Sequence, residues 1–206
     1  MNNFLFRKIK QVGSILVMIS LAAITGCNNE DPAKQDVPEF ISSVKLIFTP
    51  VGGGTTISAT ATDPDGLGSG SITIDHPINL VKNASYTLTF EILNNLAAPT
   101  DPEYNIGNEI EEEADEHQFF FAWTNNVFSN PTGNGNIDNR SDPLNYNDED
   151  ANGLPIGLVT SWTATDVASA GTFKVLLKHQ PNLKSNTTSS TDGETDIDLT
   201  FDITVE

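Results

Sequence analysis

The chain carries one cysteine in 206 residues, ten Lys and Arg against 28 Asp and Glu, and three histidines. A lone cysteine can make no internal disulfide, and if it is acylated no thiol is left for a nucleophile or a thiolate metal site, so the fold stands on packing alone or on packing plus a bound ion. The shortage of basic residues excludes nucleic acid as a partner, because that binding rests on Lys and Arg neutralising phosphates. It disfavours an anionic membrane face for the same reason. Catalytic signatures are missing too: there is no G-x-S-x-G, no H-E-x-x-H and no G-x-x-x-x-G-K phosphate loop, and Gly52-Gly53-Gly54 reads as a turn between strands. Carboxylates are so abundant that a glycosidase-like pair could be assembled from almost any two. No enzyme is read from this; a hydrolase using Glu112 or Asp115 as general acid or base is the weakest alternative.

What is present begins with the position of that cysteine. Arg7, Lys8 and Lys10 precede an apolar run from Val12 to Ile24, the pattern of a secretion signal, and Ile24-Thr25-Gly26-Cys27 closes it. The run is shorter than the roughly 20 residues that span a bilayer. The four residues match the bacterial lipobox, which implies diacylation of Cys27, cleavage before it, and a mature chain from Cys27 to Glu206. A buried acyl chain contributes about 0.8 kcal/mol per methylene, and a doubly acylated cysteine can hold a domain unaided. Residues 1–26 are thus read as signal peptide, 27–42 as a polar lipidated tether, and 43–206 as one folded domain. The acidic stretch after Cys27 fits a surface-export tag, so outer-membrane anchoring facing the cell exterior is expected, with a periplasmic face as the alternative. The mature chain would keep seven basic residues against 28 acidic ones, a net charge of -21.

Hydrophobic periodicity of two dominates. Ile197, Leu199, Phe201, Ile203 and Val205 alternate with polar residues to the C-terminus, the mark of a half-buried strand. Similar alternation runs through Val44 to Phe48, Thr55 to Thr62, Tyr86 to Ile92, Phe119 to Trp123, Leu158 to Trp162 and Phe173 to Leu177. Seven or eight short strands punctuated by Gly, Asn, Asp and Pro predict an all-β fold: a single antiparallel β-sandwich of immunoglobulin-like type, with a barrel as alternative. Two connections are long and acidic, 94–116 and 125–157, and such loops are usually functional or disordered; function is expected there. Ile106, Ile110 and Ala114 recur at helical spacing, leaving room for one short helix in the first. Lys184 to Ser190 reads as a low-complexity hairpin tip.

No Lys or Arg falls between Lys82 and Arg140, a stretch with ten carboxylates crowded toward Glu111-Glu112-Glu113-Ala114-Asp115-Glu116. On a helix the pairs 109/113, 111/115 and 112/116 would be like-charged at i,i+4, each costing a few tenths of a kcal/mol, which invites a cation. A solvated acidic face screened by salt is the bland alternative. His117 shares strand parity with Phe119, Phe121 and Trp123, and His179 with Phe173, Val175 and Leu177. If those strands pair antiparallel, both imidazoles meet at one pole beside the acidic run. With Glu113 or Asp115 they would make a set for zinc or another transition ion; otherwise each histidine caps a strand end. His76, before Pro77, reads as solvated.

A second candidate is Asp148-Glu149-Asp150-Ala151-Asn152-Gly153. Oxygen ligands at positions 1, 3 and 5 with glycine at 6 match the first half of a calcium loop, although the closing glutamate is replaced by Val159. Asp63-Pro64-Asp65-Gly66-Leu67-Gly68 is a poorer copy, with leucine at position 5. For both, an Asx turn without metal is the plain alternative. Tyr104, Phe128 and Tyr146 are the aromatics expected to be exposed for ligand contact, whereas Trp123 and Trp162 are expected in the core.

The segments Glu111 to Phe121 (EEEADEHQFFF), Asp150 to Leu158 (DANGLPIGL), Leu177 to Asn182 (LKHQPN) and Asp192 to Phe201 (DGETDIDLTF) resemble a family of small acidic Gram-negative outer-membrane lipoproteins of unknown function. Some members bear the label of a type 1 periplasmic-binding fold. A two-lobed α/β protein of that kind needs alternating strands and helices and a longer chain, so strand periodicity contradicts the label here. The resemblance implies a binding or accessory role beside a nutrient transporter. The expectation is therefore a non-catalytic lipid-anchored binding lipoprotein that takes a cationic ligand or partner on acidic loops, which Ca2+ would order. The alternative is a lipoprotein that captures Zn2+ or another transition metal through His117 and His179 and serves an outer-membrane transporter.

Overall fold

A computed structural model describes residues 40–64 and 72–206. The lipidation residue Cys27, the signal and most of the tether, and Asp65 lie outside the described residues. Within them are ten strands: β1 (Ser43–Pro50), β2 (Ile57–Thr62), β3 (Thr73–Ile74), β4 (Ile78–Leu80), β5 (Ser85–Leu93), β6 (His117–Trp123), β7 (Phe128–Asn130), β8 (Val159–Ala164), β9 (Ser169–His179) and β10 (Glu194–Val205). One helix, α1 (Ile106–Glu112), follows a 3-10 turn at Pro102–Tyr104. No helix among the described residues is long and apolar enough to cross a membrane.

The strands form two sheets, in the orders β3-β2-β1-β5-β8-β7 and β4-β10-β9-β6, so the chain is an all-β sandwich. Alternation explains it. In β10 the residues Ile197, Leu199, Phe201, Ile203 and Val205 are buried, while Asp198, Thr200 and Asp202 stand in solvent. The facing rows of the other sheet supply Leu46, Phe48, Tyr86, Leu88 and Trp162. Trp162 and Phe173 meet edge-on at 5.2 Å and Phe121 and Trp162 at 5.4 Å, the favoured aromatic geometry.

Two details differ from the sequence expectation. β3, β4 and β7, of two or three residues each, raise the strand number above eight; they are too short to show alternation. β4 also pairs parallel with β10, through Ile203 and Ile78, where a purely antiparallel sheet was expected. The chain reaches it by leaving the first sheet after β3 and returning to it with β5.

The long connections are not free loops. The first holds the 3-10 turn and α1, which buries Ile106 and Ile110 as the helical spacing predicts. Parts of the second cover the open edge of β6, while Phe128–Asn130 and Tyr146 pair with β8. Phe119 N–H donates to the Ile156 carbonyl (2.7 Å), Trp123 N–H to that of Asn134 (2.9 Å), and Phe121 N–H to Asn136 Oδ1 (3.0 Å). Covering an edge strand removes a template for aggregation. The approach requires glycine at 135, with φ +102°, since a Cβ there would lie 2.0 Å from the Phe121 carbonyl oxygen.

Candidate cation-binding sites

The turn after α1 distributes the acidic run. Glu113 N–H closes on the Glu109 carbonyl and Glu116 N–H on that of Glu113, each at 2.9 Å. Because α1 ends at Glu112, residues 115 and 116 leave the helix, and the like-charged 111/115 and 112/116 pairs of a continuous helix do not form. Glu111, Glu112 and Asp115 then line an open cavity of about 700 Å3 together with Asp148, Glu149, Asp150 and Asn152. Glu113 and Glu116 lie with the histidines instead.

His117 opens β6, His179 closes β9, and the antiparallel register sets them directly opposite. Their rings stack at 4.5 Å with 6° between planes. They are 0% and 6% exposed. His117 Nδ1 lies 3.1 Å from the Glu113 carbonyl oxygen, and His179 Nε2 lies 3.3 Å from Glu116 Oε2. His117 Nε2 is 3.8 Å from Asp196 Oδ2, whose side chain is also buried. One donor atom each from Glu113, His117 and His179 falls within 4.8 Å of the others, the single such trio of His, Cys, Asp or Glu among the described residues. Asp115 is not of this group; it belongs to the cavity.

Asp196 was missed in the sequence because it falls among the outward residues of β10. A register shift between Thr195 and Ile197 breaks the alternation there, and a bulge of this kind re-aims a side chain.

Lys184 was missed as well, hidden in what looked like a hairpin tip. Its Nζ sits 3.0 Å from Asp150 Oδ2 with both side chains fully buried, and it donates to the Ala114 carbonyl at 2.6 Å. Burial pushes the Asp150 carboxyl up, but the Leu154 N–H and the Lys184 ammonium outweigh it and hold the group below its ordinary value. Burial holds the Lys184 ammonium below the usual lysine value, with Asp150 opposing.

The Asp148 segment is an Asx-rich turn in which the two aspartates serve the backbone. Asp150 Oδ1 accepts from Asn152 N–H (2.8 Å) and Leu154 N–H (2.9 Å). Asp148 Oδ1 and Oδ2 accept from Gly157 and Val159 N–H, both at 2.9 Å. Burial raises the Asp148 carboxyl overall, against the pull of those N–H groups. Every carboxylate oxygen of Asp148 and Asp150 thus already has a protein partner, and the Asn152 side chain is exposed. Asp63 lines a separate cavity of about 90 Å3 shared with Asp196.

Two of the aromatics expected as ligand contacts are structural. Phe128 is 4% exposed and packs edge-on against Trp123 at 5.6 Å, because it is drawn into the core by the short β7. Tyr146 donates its hydroxyl to the Phe119 carbonyl (2.6 Å) and accepts from Asn136 Nδ2 (2.8 Å). Burial pushes its phenol up to about 12. Tyr104 ends the 3-10 turn, half-buried.

No family model, no curated protein and no solved structure matches this chain.

Proposed function

We propose that this protein is a non-catalytic, lipid-anchored binding protein whose working end is the pole where the two acidic connections meet, and that it takes a cationic ligand there. The observation that carries the reading is the cavity of about 700 Å3 into which two segments far apart in sequence bring six carboxylates: Glu111, Glu112, Asp115, Asp148, Glu149 and Asp150. Lys184 is spent on Asp150 and the Ala114 carbonyl, and Glu111, Glu112, Asp115 and Glu149 are exposed. A space of that size is in the range of small-molecule sites and far exceeds one bare ion, so an organic cation or a basic segment of a partner fits better than calcium alone. With Asp148 and Asp150 engaged by the backbone, calcium would be held by the four exposed carboxylates rather than in the Asp148 turn. A lipid tether at Cys27 would place such a protein at the outer membrane, beside a transporter that receives the ligand.

Titration calorimetry with spermidine, a trilysine peptide and Ca2+ tests this at low and high salt. Binding of at least one probe is expected, weakened more than tenfold by Glu111→Gln/Glu112→Gln/Asp115→Asn, and reduced by salt as exposed charges are screened. Failure of all three probes to bind would sink the reading.

A further inference from the structure

We propose that Glu113, His117 and His179 form a site for a divalent transition-metal ion of the zinc class, with Asp196 and Glu116 as the supporting carboxylates. This goes beyond the cavity reading: it shares no donor with the cavity and lies on the other side of the 113–116 turn.

Two imidazoles with carboxylates and no thiolate suit zinc, iron(II) or nickel, and give no reason to prefer copper(I). The Glu113 carbonyl oxygen, 3.1 Å from His117 Nδ1, can only accept, so Nδ1 carries a proton and Nε2 is the nitrogen a metal ion would take, displacing any proton held there toward Asp196. A ligating histidine commonly has its other ring nitrogen tied to a carbonyl or carboxylate in this manner. Each Nε2 then faces a carboxylate, Asp196 for His117 and Glu116 for His179. The histidines are fixed by strand pairing rather than carried on a loop, which is the kind of support a defined coordination geometry needs.

Distances set what must move. Tetrahedral zinc with bonds of 2.0–2.1 Å keeps its donors about 3.3 Å apart, and the trio now lies within 4.8 Å. The stacked rings hold their in-plane lone pairs side by side rather than converging. A turn of one ring brings both nitrogens to a common ion, and His179, at the end of its strand and slightly exposed, has the room that the fully enclosed His117 lacks.

Cobalt(II) titration of the full chain in detergent reads the site directly. The expected result is one equivalent bound with the intense visible bands of four-coordinate cobalt, displaced by Zn2+. His179→Gln should weaken binding at least about 100-fold and Asp196→Asn about tenfold, the latter as a supporting carboxylate. Zn2+ should also shift the imidazole 15N resonances of both histidines in the unmodified protein, a readout that survives if His179→Gln does not fold. Cobalt that keeps its six-coordinate aqueous spectrum, or imidazole resonances unmoved by Zn2+, would overturn the proposal. An ion that binds but is lost on Asp115→Asn and retained in His179→Gln would overturn it too, while leaving the cavity reading intact.

Discussion

On one side of the 113–116 turn a buried ammonium, Lys184, lies 3.0 Å from Asp150 and also binds the Ala114 carbonyl. On the other, two stacked imidazoles face Asp196 at 3.8 Å and Glu116 at 3.3 Å. Both places draw carboxylates from one short acidic run, yet they meet the charge differently. Behind the cavity the buried Lys184 ammonium pairs with Asp150 and the Asp148 carboxylate is engaged by backbone N–H groups, so the exposed carboxylates are the ones that remain for a guest. The histidine side uses groups that can be neutral donors, whose protons a metal ion can replace. A protein with so few cations commits one of them, Lys184, to Asp150, and on the histidine side sets imidazoles against Asp196 and Glu116 instead.

The largest effect is expected at Lys184. Lys184→Met leaves Asp150 buried without its partner, which should cost about 3–5 kcal/mol in urea unfolding at neutral pH, as breaking a buried pair does. Lys184→Met/Asp150→Asn should recover a large part of that loss. A single-mutant change below about 1 kcal/mol would mean the lysine holds nothing. Next in size is Asp148→Asn, which weakens acceptors of the Gly157 and Val159 N–H groups and should cost about 1–3 kcal/mol by the same unfolding measurement.

The two aspartates also titrate with opposite sign, and carboxyl 13C NMR can follow both. Asp150 is held below 3.8, so its contribution to stability is present above that pH and is lost as pH falls through its lower folded value. Asp148 is raised above 3.8, so its contribution is present below that pH and is lost as pH rises through its higher folded value. In Lys184→Met the depression at Asp150 should shrink; an unchanged Asp150 titration would contradict the ion pair. The smallest effect is expected at the exposed rim. Glu111→Gln/Glu112→Gln should move stability by less than about 0.5 kcal/mol in thermal unfolding, while still weakening cation binding.

Much of this was legible in the sequence where alternation runs for five residues or more, since one buried face imposes a period of two on both sheets. The meeting of His117 and His179 followed from parity in two strands plus the assumption that those strands pair. Parity failed at Asp196, because a bulge is a local insertion that the pattern of Ile197 to Val205 does not reveal. Lys184 was illegible for another reason. Its partners, Asp150 and Ala114, lie far along the chain, and nothing near it in sequence marks it as buried. Phe128 and Tyr146 are core-facing because the connection bearing them pairs with β8 at both places, Phe128 opposite Ala164 and Tyr146 opposite Thr160, pairings too short to leave an alternating pattern.

Glu113→Gln and Asp115→Asn, two substitutions in one turn, give the most direct test when each is titrated in parallel with Zn2+ and with whichever cationic probe binds the cavity. The division of the acidic run predicts a crossover: Glu113→Gln loses zinc affinity and keeps cavity binding, and Asp115→Asn does the reverse. If each substitution weakens both ligands alike, the two sides of the turn are one diffuse acidic surface and the division is wrong.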